Sequence, residues 1–366
     1  MQGAGKPIAD RELILWDSFG LQSLYSGVGR HAWDLLHELE ALACNPKIIP
    51  SAPHIDSAFR SRVIAPATSW PLSRLKPWSL FVSGRELHAS LSSLPAKTIV
   101  HGLSNYNLPN VTAPGLLKVL TIHDLIPLMH RSEVSKALSV FLRWQMPKAV
   151  EAADAIICVS SWTEQCVQQY FPASRGKTLL IPNGRKKLKI TDAYDQETAG
   201  PLLTISRHES YKRLALIPEI LACLPESVHW LVVTDPKGEQ VLKPFKSNRL
   251  SVRTYVSDAE LQKLQEQAQL YVHPSLWEGF CLPAADSIDL GVAVVHSIGS
   301  GIDEVVGIAG RGLQPEAPAT LWADTILELL ADADRRRRCT VQSHSAPSWA
   351  DVGARTRDLY AKLRGR

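Results

Sequence analysis

The chain has 366 residues, 45% hydrophobic and 21% charged, with 21 Gly and 24 Pro. That is the composition of an ordinary globular protein of about two domains, and it excludes a disordered, collagenous or repeat polymer. The net charge of +4 is too small to suggest a nucleic-acid partner, and it is uneven: Lys+Arg exceed Asp+Glu by 18 to 13 through Arg185, against 22 to 23 afterwards.

The polar opening MQGAGKPIADRE lacks the apolar core of a secretory signal, and no run approaches the roughly 18 apolar residues of a membrane span. A cytoplasmic protein is expected. Six cysteines, Cys44, Cys158, Cys166, Cys223, Cys281 and Cys339, are far apart, with no C-x2-C pair and no histidine cluster at ligand spacing. They read as reduced thiols, mostly buried as small hydrophobes.

In chain order, short apolar or β-branched runs alternate with longer helical patterns, the arrangement of parallel sheets covered on both faces. Strands are predicted at Leu13–Trp16, Lys47–Ile49, Thr98–Val100, Val119–Ile122, Ala155–Val159 and Leu179–Ile181. A second set follows at Leu202–Ile205, Trp230–Val233, Ser251–Arg253, Leu270–Val272 and Ala293–Val295. Each set reads as its own doubly wound sheet. The polar, Gly- and Pro-containing stretch from Pro182 through Gly200-Pro201 is the hinge between them. After the first strand, Ala32, Leu35, Leu36, Leu39 and Ala43 recur at helical spacing, so a helix opens at Gly27-Val28-Gly29. Ser161 and Glu164 form a capping-box pattern for another helix, and an amphipathic helix from Trp349 to Leu363 closes the chain.

Four segments carry chemistry. Ser26–Ala32 matches the G-x-G-x-x-G/A turn between strand and helix, yet the second strand ends in Ile49-Pro50-Ser51 with no acid for a ribose, which argues against a nicotinamide site. What Gly27 and Gly29 retain is close backbone approach and a helix N-terminus that favours anions. His123-Asp124 follows a buried strand at the crevice position of an open α/β sheet, and the imidazole there suits hydrogen bonding to a polar substrate. Arg207 and Lys212, five residues apart after the first strand of the second half, offer a planar fork and a mobile point charge that suit a diphosphate. Glu278 and Asp286, in Pro274–Asp286, stand eight residues apart across a loop and a helix start. There Glu278 would bond sugar hydroxyls, Asp286 a vicinal diol, and the amides of Phe280, Cys281 and Leu282 would face phosphates.

Taken together and in order, SGVGRH (26–31), LTIHDLIPL (120–128), ADAIICVSSWTEQCVQQYF (153–171), IPNG (181–184), SRHESYK (206–212), YVSDAELQKL (255–264), VHPSLWEGFCLPAADS (272–287), GIDEVVGIAG (301–310) and SWADVGARTRDLYAKL (348–363) carry a resemblance. The chain resembles the retaining glycosyltransferases of family 4. The resemblance implies two Rossmann-like doubly wound domains facing a central cleft, the GT-B architecture. An acceptor-binding domain would occupy residues 1–185, a nucleotide-sugar domain 186–345, and a C-terminal helix, 346–366, would pack back on the first. It further implies that Arg207 and Lys212 bind the donor diphosphate and that His123 contacts the transferred sugar. Glu278 and Asp286 would take the family's Glu-x7-Glu positions, with Gly27 and Gly29 lining the donor from the facing domain and the backbone around Val256 meeting the base. The sequence departs in having Asp286 for the usual Glu, and Asp289 where small apolar residues are usual.

No cofactor and no metal are expected: Asp192 and Asp195 are not a D-x-D, and Asp332-Ala333-Asp334 reads as a solvated face. The implied donor is a GDP- or UDP-sugar, a mannose-like sugar being the family-weighted choice. The implied acceptor is a glycan or lipid-linked glycan of a surface polysaccharide. The basic first half, with Ser69–Trp78 and Phe141–Gln145 mixing aromatics and cations, suits peripheral contact with an anionic membrane. Two other readings stay open on these residues, a nucleotide-sugar epimerase of similar fold and a non-catalytic sugar-nucleotide-binding protein.

Overall fold

A computed structural model describes residues 13–24, 26–49, 54–63, 94–105, 108, 115–130, 136–186, 200–245 and 247–365. The segment Ser69–Trp78 and most of the hinge, 187–199, lie outside these.

The first domain is a six-stranded parallel sheet of β1 (Ile14–Asp17), β2 (Lys47–Ile49), β3 (Ile99–Gly102), β4 (Leu117–Ile122), β5 (Ala155–Cys158) and β6 (Thr178–Leu180), in the order β2-β1-β3-β4-β5-β6. The second has β7 (Leu202–Ile205), β8 (Trp230–Val233), β9 (Leu250–Arg253), β10 (Leu270–His273), β11 (Ala293–Ser297) and β12 (Gly310–Leu313), in the order β12-β11-β10-β7-β8-β9. Both are Rossmann-like and doubly wound. β5, β8, β10 and β11 are buried along their whole length, as strands covered by helices on both faces must be. β12 has no counterpart among the predicted strands, because an edge strand reading Gly-Arg-Gly-Leu has no apolar run to announce it.

Helix α1 (Gly27–Ala41) buries Ala32, Leu35, Leu36 and Leu39 on one face, and the Ser26 hydroxyl caps it by accepting from the Gly29 amide. A Cβ on Gly29 would lie 2.0 Å from the Ser23 carbonyl oxygen, so this glycine is required by close packing of the turn itself. The second predicted cap is corrected by one residue. Helix α2 (Ser161–Tyr170) is capped by Ser160, whose hydroxyl accepts from the Thr163 amide. Ser161 is already helical, and no Ser161–Glu164 box forms. A true capping box joins Ser348 and Asp351 at the start of the last helix, α3 (Trp349–Arg364).

Helix α3 belongs to the core of the first domain: Trp349, Val352, Leu359, Tyr360 and Leu363 cluster with Trp16, Leu35, Leu36 and Leu39. Burying side chains of this size contributes roughly 1.5–3 kcal/mol each, which holds the chain's end against the domain where it began. The two crossings between domains run side by side, the Arg185 amide donating to the Pro347 carbonyl at 2.8 Å. Beside them, a Cβ on Gly184 would lie 2.4 Å from the Trp349 nitrogen. All six cysteines are free; four are buried, Cys44 is half-buried and Cys223 is exposed.

Candidate functional site

In the second sheet the strand order reverses between β7 and β10, which pair in parallel. The crevice beyond the carboxyl ends of two such strands is where open α/β sheets bind ligands. The loop after β7 carries Arg207 and Lys212, and the loop after β10 carries Glu278. The two loops pack together, the Leu276 amide donating to the Tyr211 carbonyl at 2.8 Å.

At the base of this crevice lies a buried ionic network. The Lys212 ammonium donates to Glu278 Oε1 at 2.6 Å, and His273 Nε2 bonds the same oxygen. The Glu278 backbone is pinned as well, its amide to Ser300 Oγ and its carbonyl to the Gly301 amide. Burial would raise the Glu278 carboxyl, but Lys212 and His273 outweigh it and hold the group at about 2. Burial would lower the Lys212 ammonium, and Glu278 and Tyr211 instead raise it. Glu278 is thus a fixed carboxylate, one of whose oxygens, Oε1, is held by two donors.

The two cations that sequence spacing puts together are separated. Lys212 turns inward, whereas the Arg207 side chain is 60% exposed, reaching Glu209 at 3.0 Å and Asp235 at 3.7 Å at the rim. Both still follow the carboxyl end of β7, the neighbour of β10, whose own following loop carries Glu278.

Helix α4 (Leu282–Asp289) opens at Cys281, which has φ 79°, a left-handed conformation rare for a residue with a side chain, and no side chain caps the helix. The amides after Phe280 and Cys281 therefore include donors with no side-chain cap at the rim of the crevice. Phe280 packs on the second core. Asp286 is half-buried, with Lys186 Nζ at 4.0 Å, and burial pushes its carboxyl up to about 7 against the pull of Arg30 from the facing domain. Asp289, the second departure, is explained by packing: its carboxylate accepts from Ser343 Oγ at 2.6 Å and lies 3.5 Å from the Arg185 guanidinium. Arg185 itself is buried and also donates to the Ala285 and Val305 carbonyls, so the hinge arginine is anchored in the second domain. Val256 is buried in the second core between Tyr255, at φ 56°, and Ser257, the cap of the helix Asp258–Gln267.

The first domain faces this crevice with the loop after β4. His123 Nε2 donates to the Leu103 carbonyl at 2.9 Å, which leaves Nδ1 as the ring's acceptor, and the His123 amide donates to Asn105 Oδ1. Burial lowers the His123 imidazole to about 4, so it is neutral. His31, from α1, stands edge-on to it with ring centroids 4.9 Å apart. Gly27 has nothing within 4 Å of where a Cβ would be.

The domains touch around the crevice at several points. A Cβ on Gly279 would be 1.8 Å from the His123 carbonyl oxygen, and one on Gly301 2.8 Å from Ser160 Oγ. The Glu304 carboxylate accepts from the Ser161 amide and hydroxyl and from the Trp162 amide, so an acid of one domain caps a helix of the other. Arg30 meets Asp258 at 3.2 Å, and His130 stacks on Trp277 with centroids 3.2 Å apart. Sequence reasoning singled out none of His273, Gly279 or Glu304. Only their places in VHPSLWEGF and GIDEVV hint at them; the partner that gives each its role is more than twenty residues away or reached through Glu278.

The arrangement can hold an anion against buried cations while the facing domain presents a neutral imidazole. The family description "Glycosyltransferase Family 4" matches residues 25–186, and "Glycosyl transferases group 1" matches residues 195–344. The chain is 25% identical over 283 residues to the O-antigen chain mannosyltransferase B of Escherichia coli, covering 70% of this chain and 74% of that one. It is 26% identical to the alpha-maltose-1-phosphate synthase of Mycolicibacterium smegmatis, covering 93% and 96%. Among solved structures it is similar to a sucrose-phosphate synthase from Thermosynechococcus elongatus, with TM-score 0.73, 18% identity and coverage of 96% and 99%.

Proposed function

The chain belongs to the family 4 glycosyltransferases, and from that premise we propose that it transfers a mannose-like hexose from a GDP- or UDP-sugar to a lipid-linked or polysaccharide acceptor, with retention of anomeric configuration. The observation that carries this reading is the Lys212–Glu278–His273 network at the switch point of the second sheet, faced by His123. The mannosyltransferase relative supports the choice of sugar, and the basic first half supports an anionic acceptor.

In this reading, the bond from the anomeric carbon to the diphosphate oxygen breaks while a bond to the acceptor oxygen forms, and the acceptor proton passes to the departing phosphate. Negative charge grows on the diphosphate and positive charge on the sugar ring, so pre-placed cations stabilise the transition state more than the ground state. Lys212 from below, Arg207 from the rim, and the amides of Phe280, Cys281 and Leu282 would meet the phosphates. His123 would accept a sugar hydroxyl through Nδ1, Asp286 would hold the ribose, and Gly27 and Gly29 would line the donor. No metal ion is required. Although ligand atoms of His273, Glu278 and Cys281 lie within 4.8 Å of one another, Glu278 Oε1 is already shared by an ammonium and an imidazole.

The acceptor reading extends to a membrane. Among the described residues no helix is long and apolar enough to cross one. Val140 and Trp144 are exposed on the helix Lys136–Ala152, with Lys148 Nζ 3.5 Å from the Trp144 ring centre, a surface suited to an interface. Retention of the protein on anionic vesicles at low salt, lost with Trp144→Ser, tests it.

The donor is tested by a thermal-shift screen across guanosine, uridine and adenosine diphosphate sugars. A ligand at 100 times its Kd stabilises the native state by about 2.7 kcal/mol. GDP-mannose is expected to give the largest rise in Tm; no rise with any of them would refute the donor site.

A further inference from the structure

His273 ends β10, is 2% exposed, and has both ring nitrogens bonded. Its Nδ1 is 3.0 Å from the Tyr271 hydroxyl oxygen, and its Nε2 bonds Glu278 Oε1. The direction of each bond is decided by the partner. The Tyr271 hydroxyl has one proton, which it donates to the Ile205 carbonyl at 3.0 Å, so toward His273 its oxygen can only accept. Glu278 is an ionised carboxylate under Lys212 and has only lone pairs to offer. Nδ1 and Nε2 must therefore both carry protons. A neutral imidazole would leave one lone pair facing another in a site without solvent.

Resting on the glycosyltransferase reading, we infer that His273 is a standing imidazolium: it positions Glu278 and, with Lys212, leaves the base of the crevice with one net positive charge for the departing diphosphate. Over Lys212, His273 and Glu278 the sum is two cations against one carboxylate. It changes the distribution of charge in the mechanism, because the second buried cation is His273 rather than Arg207, which lies 60% exposed at the rim. The groups that face His273 among the described residues agree. Tyr271 lies on its own strand, Glu278 and Cys281 in the following loop, Lys212 behind Glu278, and His296 opposite on β11. Burial would lower the imidazole and His296 opposes its charge, while Cys281 and Glu278 push it up to about 9. A doubly protonated ring has no lone pair for a metal, which removes His273 from any ligand set with Glu278 and Cys281.

The test has one arm that needs no substrate. In the full-length protein labelled with 15N-histidine at pH 7.5, the ring signals that vanish in His273→Gln should show a proton on both nitrogens; a bare ring nitrogen overturns the proposal. The second arm is kinetic. Wild-type kcat should fall as pH rises through about 9, the value to which the imidazole is raised. His273→Gln keeps an N–H for Glu278 but not the charge. Its kcat should be lower by on the order of 10²-fold, with no alkaline limb near 9 and a smaller change in donor KM. Wild-type kcat in that variant would refute the positioning role, since a structural role needs only the hydrogen bond. Should His273→Gln fail to fold, Tyr271→Phe removes the acceptor at Nδ1 and should move the limb down by about one pH unit. An unmoved limb refutes the assignment. A chain that shows both ring protons but transfers no sugar would leave the imidazolium standing and sink the donor reading instead.

Discussion

Glu278→Gln separates charge from shape at the centre of the site. Lys212 and His273 both bond the same carboxylate oxygen, so a glutamine amide oxygen in that place keeps both hydrogen bonds and loses only the negative charge. Burial opposes the carboxylate, yet the two cations bring it from 4.5 to about 2. At about 1.36 kcal/mol per unit, that is about 3 kcal/mol of folded-state stability. The folded value is depressed, so this stability is fully present above pH 4.5 and is lost as pH falls from there toward 2. At pH 7 the second domain of the variant should melt about 6–12 °C below wild type, at about 2–4 °C per kcal/mol, and the two should converge near pH 2. Calorimetry across pH 2–7 measures this. A gap between wild type and variant that stays constant over that range would refute the assignment of Glu278 as the ion held by Lys212 and His273. Turnover, assayed well below the melting temperature, should fall by on the order of 10²-fold while the nucleoside diphosphate still binds.

Arg207→Ala should lower kcat/KM for the donor by on the order of 10²-fold while changing stability by less than about 1 kcal/mol, because its ion pairs are exposed; an unchanged rate removes Arg207 from the site. Gly279→Ala places a Cβ 1.8 Å from the His123 carbonyl oxygen, so the domains must separate by about 1 Å or more. It should cost on the order of 10² in kcat with circular dichroism and nucleotide binding intact, and wild-type turnover would show that the contact is not kept during the reaction.

The two doubly wound sheets were legible because strands buried on both faces read as unbroken apolar runs, as in Ala155–Cys158 and Trp230–Val233, with amphipathic helices such as Gly27–Ala41 between them. Local chemistry was legible for the same reason of adjacency: Glu278 and Arg207 each follow a strand, and position in an α/β unit alone puts them at the crevice end. β12 escaped because an edge strand of Gly-Arg-Gly-Leu buries little, and the cap at Ser160 was displaced by one because Ser160 and Ser161 are chemically equal candidates until Glu304 takes up Ser161.

Partnership is a different kind of fact. Nothing in a linear order tells whether Lys212 or Arg207 turns inward, that Tyr271 has spent its proton on Ile205, or that Glu304 caps a helix 143 residues earlier in the chain. Patterns of burial repeat along a chain with the period of each element and can be read one element at a time. The charge a side chain carries and the atom it faces depend on groups brought together from distant segments, so the ionisation of His273, the confinement of Glu278 and the fit of Gly279 against His123 exist only once both sheets are folded and face each other.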